Sequence, residues 1–505
     1  MAVDNSAKVA HQLIQILLGD LPKLQLLDDY LKGKHVGPYV PENADAEYRL
    51  LAHRCVTNWQ PLLVRTPAQA MYVDGFNYGN AEGAGQAQDD PAWEHWQLSG
   101  LDGRQGAFYE GAFALGHAFT KTERSENPRH KGKSVTRMMS ALNTTAVFRD
   151  PVNDIVPIAA LHVESWPWEY EPGKWAMGKA YMWDDELKYE VSFNLDDVER
   201  RRITVTVLGK HGASECPVTR FAASVDLEGR TVGIIEPMIP VQDRINQTVF
   251  DLLMVQTNGS FNIRWVTGMA PPLKKTVVYL KDADGQTVFD ANGQPVIEDI
   301  ADALDENGRP IPEDVQLSTK RFLFAEDPDA KFGSLEGTAL EGYINSIDMS
   351  IRHLAMLSQT PPTHMMGSIV NLSAEAMQSA EVALTRKVQA FKTSFGECWE
   401  RVINLAAEID GTHEIDDKLE TQWRDMEGQS FAKTADALLK LKEIGVPQSG
   451  LWGRIPGVTA TELEDWKSIA ENDPAQVLAS GLMQVRGQTP NSSPETMANV
   501  DPDLE

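Results

Sequence analysis

Residues 358–377 read SQTPPTHMMGSIVNLSAEAM, and the fold turns on how that stretch is read. Before it, Leu340, Ile344, Ile347, Ile351 and Leu354 recur at helical spacing. The pattern stops at Pro361 and Pro362, because proline lacks an amide hydrogen and pushes its predecessor out of the helical region. After it, Met377, Leu384, Val388, Phe391, Phe395, Trp399, Val402 and Ala406 keep a 3–4 spacing that predicts one long helix from about 374 to 408. Ser373 is placed to cap that helix, with Glu375 in its first turn. Residues 361–373, between the two helices, carry almost no charge. Pro361, Pro362, Thr363, His364, Met365, Met366, Ile369 and Asn371 make an apolar link, compliant because methionine is unbranched and adapts its shape. Why a strongly acidic chain suspends such a link between its two clearest helices is the question the rest must answer.

Working outward, residues 262–335 read as short strands and turns, with DADG (282–285) and ENGR (306–309) as hairpin signals. Ten acids stand against two bases between Lys281 and Gln316. A helical stripe precedes this part at Met238, Val241, Ile245, Val249 and Leu252. From 117 to 232, runs such as AYMW, YEVSF and ITVTVL are β-branched and aromatic and predict mainly strand. Nearer the N-terminus, a helix is expected over 8–31, broken at Pro22 and ended by Gly33. Further helices are expected over 45–58, over 61–72 with a kink at Pro67, and twice within 91–115, with a loop at 77–90. On the far side, 430–471 reads as a small helical unit. Residues 472–505, rich in Pro, Ser, Asn and acid without periodicity, are expected to be disordered. No repeat at solenoid spacing is visible. The class is α+β, in about three domains at ~150 residues each.

The chain has 505 residues, with 73 acids against 46 bases and a formal net charge of −27. That excess repels phosphate, so tight non-specific nucleic-acid binding and an anionic membrane surface are both disfavoured. A protein that surrounds nucleic acid without gripping it remains permitted. The three cysteines, Cys55, Cys216 and Cys398, are far apart and odd in number, which predicts reduced thiols. The run from Leu13 to Leu18 is too short and too interrupted for a signal or a membrane span.

No motif supplies a convincing active site. HKGKS at 130–134 ends like a phosphate loop, but GxxxxGK[ST] needs glycine where Asn127 stands. GNAEGAGQ (79–86) lacks the preceding strand and following helix of a dinucleotide fingerprint. KDADGQTVFDANG (281–293) has Gly285 fourth from Asp282 and Gly293 twelfth, against the calcium-loop order. HExxH and GxSxG are absent. No catalytic residue, cofactor or metal ligand is therefore nominated.

The order of elements resembles that of the portal proteins of tailed bacteriophages, of the siphovirus type. The stretches that carry the resemblance are LLDDYLKGKH with NWQPLLVRTPAQAMYVDGF, AWEHWQLSGLDGRQGAFYEGAFALGHAF, IIEPMIPVQDRINQTVFDLL, SQTPPTHMMGSIVNLSAEAMQSAEVALTRKVQAFKTSFGECWERV and DALLKLKEIGVPQSGLWGRIPGVTATELEDW. Together they span roughly residues 10–471. The resemblance implies a wing over 1–237, stem helices over 238–260 and 338–360, and a clip over 261–337. A tunnel loop over 361–373, a long wing helix and return over 374–429, and a crown over 430–471 would follow, before the 472–505 tail. It implies a ring, usually of twelve subunits, at one capsid vertex of the virion, assembled in the host cytoplasm. Double-stranded DNA would pass through its centre, bordered by Pro361, Pro362, Thr363, His364, Met365, Met366, Ile369 and Asn371. Implied partners are the terminase large subunit, the major capsid protein, a scaffolding protein and the head–tail connector proteins, with no membrane. Asp282, Asp284, Asp290, Asp305 and Glu306 in the clip would face the motor or connector. Two other readings stay open: a nucleic-acid motor or nuclease subunit, and a non-channel capsid or scaffold protein.

Overall fold

The computed structural model describes residues 3–42, 46–77, 91–130, 132–172, 174–194, 203–260, 264–267, 273–282, 285–304, 309–311, 331–334, 339–366, 374–411, 418–424, 431–446 and 448–452, with isolated positions at 329, 455, 458, 466, 468 and 469. The chain divides into two compact units. The first comprises Met1–Ala44, Ala52–Gln247 and Ile347–Glu505, and the second Asp45–Leu51 and Thr248–Ser346.

Helix α1 (Val3–Leu31) runs unbroken through Pro22, against the expected break. Pro22 is exposed, so the Leu18 carbonyl it leaves unpaired lies on the water side, while Leu13, Leu17, Leu24 and Leu27 are buried on both sides of it. Helices α2 (Ala46–Arg54) and α3 (Gln60–Gln69) follow, the latter starting with proline in its first turn and tolerating Pro67 near its end. After β1 (Val73–Asn77) come α4 (Pro91–Leu98) and α5 (Gln105–Leu115). The expected strand-rich part is there as β2 (His117–Arg124), β3 (Ser134–Ser140), β4 (Thr144–Val147), β5 (Ala159–Ser165), β6 (Trp168–Glu171), β7 (Lys174–Ala176), β8 (Gly178–Trp183), β9 (Leu187–Phe193), β10 (Thr204–Lys210) and β11 (Val218–Ala222). A five-stranded antiparallel sheet has the order β10-β9-β8-β5-β4, and a three-stranded one the order β11-β2-β3.

Helix α6 (Ile239–Ser260) leads to β12 (Arg264–Thr267), β13 (Lys275–Tyr279), β14 (Ile297–Asp302) and β15 (Lys331–Ser334). Helix α7 (Glu341–Ser358) returns the chain to the short α8 (Pro362–Met366) and the long α9 (Ala374–Asp410). Strand β16 (Glu420–Trp423) pairs with β1, and α10 (Phe431–Glu443) and α11 (Gln448–Trp452) follow. The fold is mixed α+β, as the sequence predicts.

Two of the cores within the first unit fix its long helices. Ala10, Leu13, Ile14 and Leu17 of α1 pack on Leu161, Val163, Met182, Tyr189, Val191 and Phe193 of the five-stranded sheet. The second core is aromatic. Trp399 of α9 meets Trp96 at 4.8 Å and Phe221 at 4.6 Å between ring centres, and donates its indole N–H to the Tyr109 hydroxyl at 3.0 Å. The Phe391 ring lies tilted against that of Phe113, 4.5 Å between centres. The stripe predicted on α9 is thus its buried face from Val388 to Ala406, each large side chain contributing on the order of 2 kcal/mol by leaving water. Helix α5 ends where two glycines let backbones touch. A Cβ on Gly233 would lie 2.5 Å from the Ala114 carbonyl, and one on Gly116, at φ +91°, 2.9 Å from Gly233 N. That approach lets the Ile234 N–H donate to the Phe113 carbonyl at 2.8 Å.

In the second unit, β13 and β14 form a two-stranded ribbon closed at each end by backbone hydrogen bonds that run in a circle. At one end Val288 donates to Leu280, Val296 to Val288 and Leu280 to Val296, at 2.8–2.9 Å. At the other, Ile311 donates to Ala303, Ala303 to Lys274 and Lys274 to Ile311, at 2.7–2.9 Å. The hairpin expected at DADG is present, with the Gly285 N–H donating to the Asp282 carbonyl and Gly285 left-handed at φ +80°. Asp290 and Gly293 repeat the same geometry.

Candidate functional site at the double-proline junction

Helix α7 ends in a left-handed cap. Gln359 adopts φ +55°, alone among the described residues other than glycine in having a positive φ. Its N–H donates to the Met356 carbonyl at 3.3 Å, and the Thr360 N–H donates to Ala355 at 3.0 Å. This pair of bonds is the Schellman arrangement that glycine usually completes, and a side chain there costs about 1–2 kcal/mol. The buried Ser358 hydroxyl lies 3.2 Å from the Ala355 carbonyl and 3.1 Å from the Thr360 hydroxyl.

The Ser358 carbonyl is taken by a side chain from another helix. Lys387 of α9 donates from Nζ at 2.8 Å. Burial lowers the Lys387 pKa to about 8. The ammonium meets the negative end of the α7 dipole, and the Phe391 ring centre lies 6.0 Å away. Sequence reading missed both Gln359 and Lys387. A lysine one position before Val388 borders the apolar stripe without belonging to it, so periodicity gives no sign of its burial.

The segment after the cap is tighter than the expected loop. Residues 362–366 form a helical turn, with the His364 N–H donating to the Pro361 carbonyl at 3.0 Å. Proline at the first position of a turn is pre-organised for it, and this favours helix over loop here. Thr360 and Pro361 are buried, Pro362 and Thr363 are half-buried, and His364 is exposed. Met365, at 6% exposure, sits inside the subunit rather than on a surface. Met366 closes the turn, and Ile369, Asn371 and the capping Ser373 lie outside the described residues.

Two of the five acids expected to face a motor or connector have a structural task. Asp282 accepts from the Gln286 N–H at 2.9 Å, and Asp290 accepts from the Asn292 and Gln294 N–H groups at 2.9 Å each. Their carboxylates fasten the two hairpin turns. Asp284, Asp305 and Glu306 lie outside the described residues.

One cluster has the residue types of hydrolytic chemistry. Ser134, His95 and Asp410 meet in the first unit, with Ser134 Oγ 3.2 Å from His95 Nδ1 and donating to Asp410 Oδ2 at 3.0 Å. The order of bonds is wrong for a nucleophile. The serine spends its proton on the carboxylate, whereas an activated serine gives it to histidine, which is in turn held by the acid. His95 Nε2 lies 2.8 Å from the Thr136 hydroxyl, both residues are buried, and burial pushes the His95 pKa down to about 4. The cluster fastens α4 and β3 to the end of α9. It also answers the phosphate-loop question, because Ser134 is the serine of HKGKS and is fully buried. Among the described residues no group of three or more His, Cys, Asp or Glu could hold a metal ion. No described helix is long and apolar enough to cross a membrane, and the three cysteines are buried thiols that take part in no disulfide.

Comparison with known proteins bears on the same elements. The family described as "Phage portal protein, SPP1 Gp6-like" matches residues 10–475. The portal protein of Mycobacterium phage L5 is 23% identical over 438 residues, covering 80% of this chain and 75% of that protein. The portal protein of Mycobacterium phage D29 is 22% identical over 424 residues, covering 78% and 73%. The matched span takes in the aromatic core, the second unit and the double-proline junction, and the chain belongs to the SPP1 Gp6-like family of phage portal proteins.

Proposed function

We propose that the chain is the subunit of a portal ring, of twelve copies, at one vertex of a phage capsid. Its centre passes double-stranded DNA inward during packaging and outward during ejection. The observation that carries this reading is the family match over residues 10–475, which includes both long helices and the junction between them. The family is one of structural virion proteins, and the energy for packaging comes from a separate terminase ATPase. The subunit itself has no catalytic role. It assembles in the host cytoplasm with scaffolding and major capsid proteins, and it offers the second unit first to the terminase large subunit and then to the head–tail connectors.

The segment from Pro361 to Ser373 borders the channel in this reading. Support comes from its lack of fixed positive charge, since lysines there would bind phosphate and release counterions, holding the DNA back. His364 is its exposed side chain among the described residues, and Met365 anchors the turn within the subunit. The net charge of −27 fits a bore that repels phosphate and keeps DNA centred.

Electron microscopy of the purified full chain tests the ring. Rings with a central hole wide enough for a duplex are expected, and a lattice or a lone monomer would overturn the reading. His364→Lys tests the segment. Rings should persist while DNA packaging in a reconstituted head falls, and unchanged packaging would remove the segment from the DNA path. An ATPase activity of the purified chain above background would favour the motor reading instead.

A further inference from the structure

Helix α6 starts in the first unit and leaves it after Gln247. Its root is tied to the end of α1 by a network of amides centred on His35. The chain turns back after α1 at Gly33, left-handed at φ +80°, whose N–H donates to the Tyr30 carbonyl at 3.2 Å. That turn lays the His35 ring on Tyr30, 4.6 Å between centres and 13° from parallel. His35 Nε2 lies 3.1 Å from the Tyr30 carbonyl and 3.1 Å from Asn58 Oδ1. His35 Nδ1 lies 2.8 Å from Asn246 Nδ2, in the second turn of α6.

Backbone groups fix the direction of every bond. The Tyr30 carbonyl can only accept, so Nε2 carries the ring proton. Asn246 Oδ1 accepts from the Thr57 N–H at 3.2 Å and from Gln242 Nε2 at 3.0 Å, so its NH2 is turned to His35 and Nδ1 must accept. Gln242 is fixed in the same way, accepting from the Trp59 N–H at 3.1 Å and donating to the Thr57 carbonyl at 2.7 Å. Gln242 and Asn246 are 0% and 2% exposed, so solvent does not replace a bond lost here. The network is satisfied by one state of the imidazole, neutral with its hydrogen on Nε2.

A second proton would sit on Nδ1 and face the Asn246 N–H donors. Turning the Asn246 amide would set its NH2 against the Thr57 N–H and the Gln242 NH2. Among the described residues no carboxylate bonds either ring nitrogen. The ionisable groups of the surrounding elements are occupied elsewhere. The Tyr30 hydroxyl donates to Asp243 at 2.6 Å, and Asp28 and Asp29 pair with Lys32 at 2.6 Å and Lys34 at 3.9 Å. Arg244 lies 3.3 Å from the His353 ring, and the Cys55 thiol donates to the Ala52 carbonyl at 3.1 Å. His35 is half-buried, so protons reach it.

We propose that His35 is an acid-released latch: neutral, it holds the root of α6 to α1 and to the link between α2 and α3, and protonated, it lets that root go. The device lies within one subunit and stands apart from the ring reading. Histidine gains its charge between about pH 8 and about pH 5, which sets the range in which the latch works.

Hydrogen exchange of the full chain, read by mass spectrometry at about pH 7.5 and about pH 5.5 and corrected for intrinsic rates, tests it. Peptides covering 55–60 and 239–247 should lose protection several-fold in acid, while 391–402 in the aromatic core stays level. His35→Gln offers an acceptor and a donor that do not titrate, and should abolish the acid loss. Asn246→Asp gives an imidazolium Nδ1–H an acceptor, and should abolish it too. A purely structural His35 would leave both variants looser at either pH with the acid loss of the native chain intact, which would overturn the proposal. The comparison on the native chain needs no substitution, and equal protection at the two pH values would overturn the latch even where a variant fails to fold.

Discussion

Lys387 Nζ donates to the Ser358 carbonyl at 2.8 Å, so a single half-buried ammonium joins the last turn of α7 to α9. Among the described residues no charged neighbour offsets its desolvation in the way a carboxylate would, and desolvation brings its pKa down to about 8. The junction that bends the chain toward the double proline is therefore held by a group sensitive to proton concentration.

Lys387 gives stability an alkaline slope. Between about 8 and 10.5 the unfolded chain keeps a proton that the folded chain has lost, so this residue makes stability rise with pH across that window. Below it, both states are protonated and the slope vanishes. The rise should reach roughly 2–3 kcal/mol by pH 10. Denaturant midpoints at pH 7 and pH 10 should converge or diverge accordingly: the native chain gains on Lys387→Met as pH increases. Equal change in both proteins would show that the ammonium is not buried.

Gln359 should respond to backbone chemistry rather than to side-chain contacts. Gln359→Gly relieves the left-handed strain and is expected to stabilise the chain by about 1 kcal/mol, less what the freer unfolded chain gives back. Gln359→Val, β-branched at φ +55°, should cost more than about 1 kcal/mol. The two variants differ in sign, and urea titration separates them.

Arg401 fastens α9 to β11 through a forked set of bonds. Nε reaches Glu215 at 2.9 Å, Nη1 the Val218 carbonyl at 2.9 Å, and Nη2 the Cys216 carbonyl at 2.8 Å. The side chain is 10% exposed. Arg401→Met leaves these acceptors without a donor and should cost about 3 kcal/mol, and Arg401→Lys nearly as much, since one ammonium cannot span the fork. Thermal unfolding of purified protein checks both.

Asp290 allows charge to be separated from turn shape. Asp290→Asn keeps the oxygen that accepts from Asn292 and Gln294, so stability should stay within about 0.5 kcal/mol, while Asp290→Ala should lose about 1 kcal/mol. Under the proposed docking role, the asparagine variant still binds terminase or connector more weakly in a titration. Unchanged binding by that variant would take Asp290 out of the docking surface.

The legible parts of the sequence were those where burial imposes a period. Phe391, Phe395, Trp399 and Val402 announce the buried face of α9 because one stripe meets one core. Pro22 misled because its consequence depends on where the Leu18 carbonyl points, and an exposed proline leaves that carbonyl on the water side. DADG announced a turn, yet nothing in the composition separates a carboxylate that holds its own turn from one free for a partner. The ribbon faces required register, since only the pairing of Tyr279 with Ile297 shows which residues stand side by side. Lys387 needed the fold itself, being a charged residue inserted between helices that lie far apart in neither sequence nor composition.

The circular closure at Lys274, Ala303 and Ile311 has a bearing on lineage. Residues 274 and 311 are hydrogen-bonded to each other, so the chain leaves this piece where it entered. A segment whose ends coincide can be traded for one of another length without stretching what flanks it. Under the proposed docking role, this cassette is the unit a phage exchanges when it takes up a different packaging engine or tail, with the rest of the gene left in place.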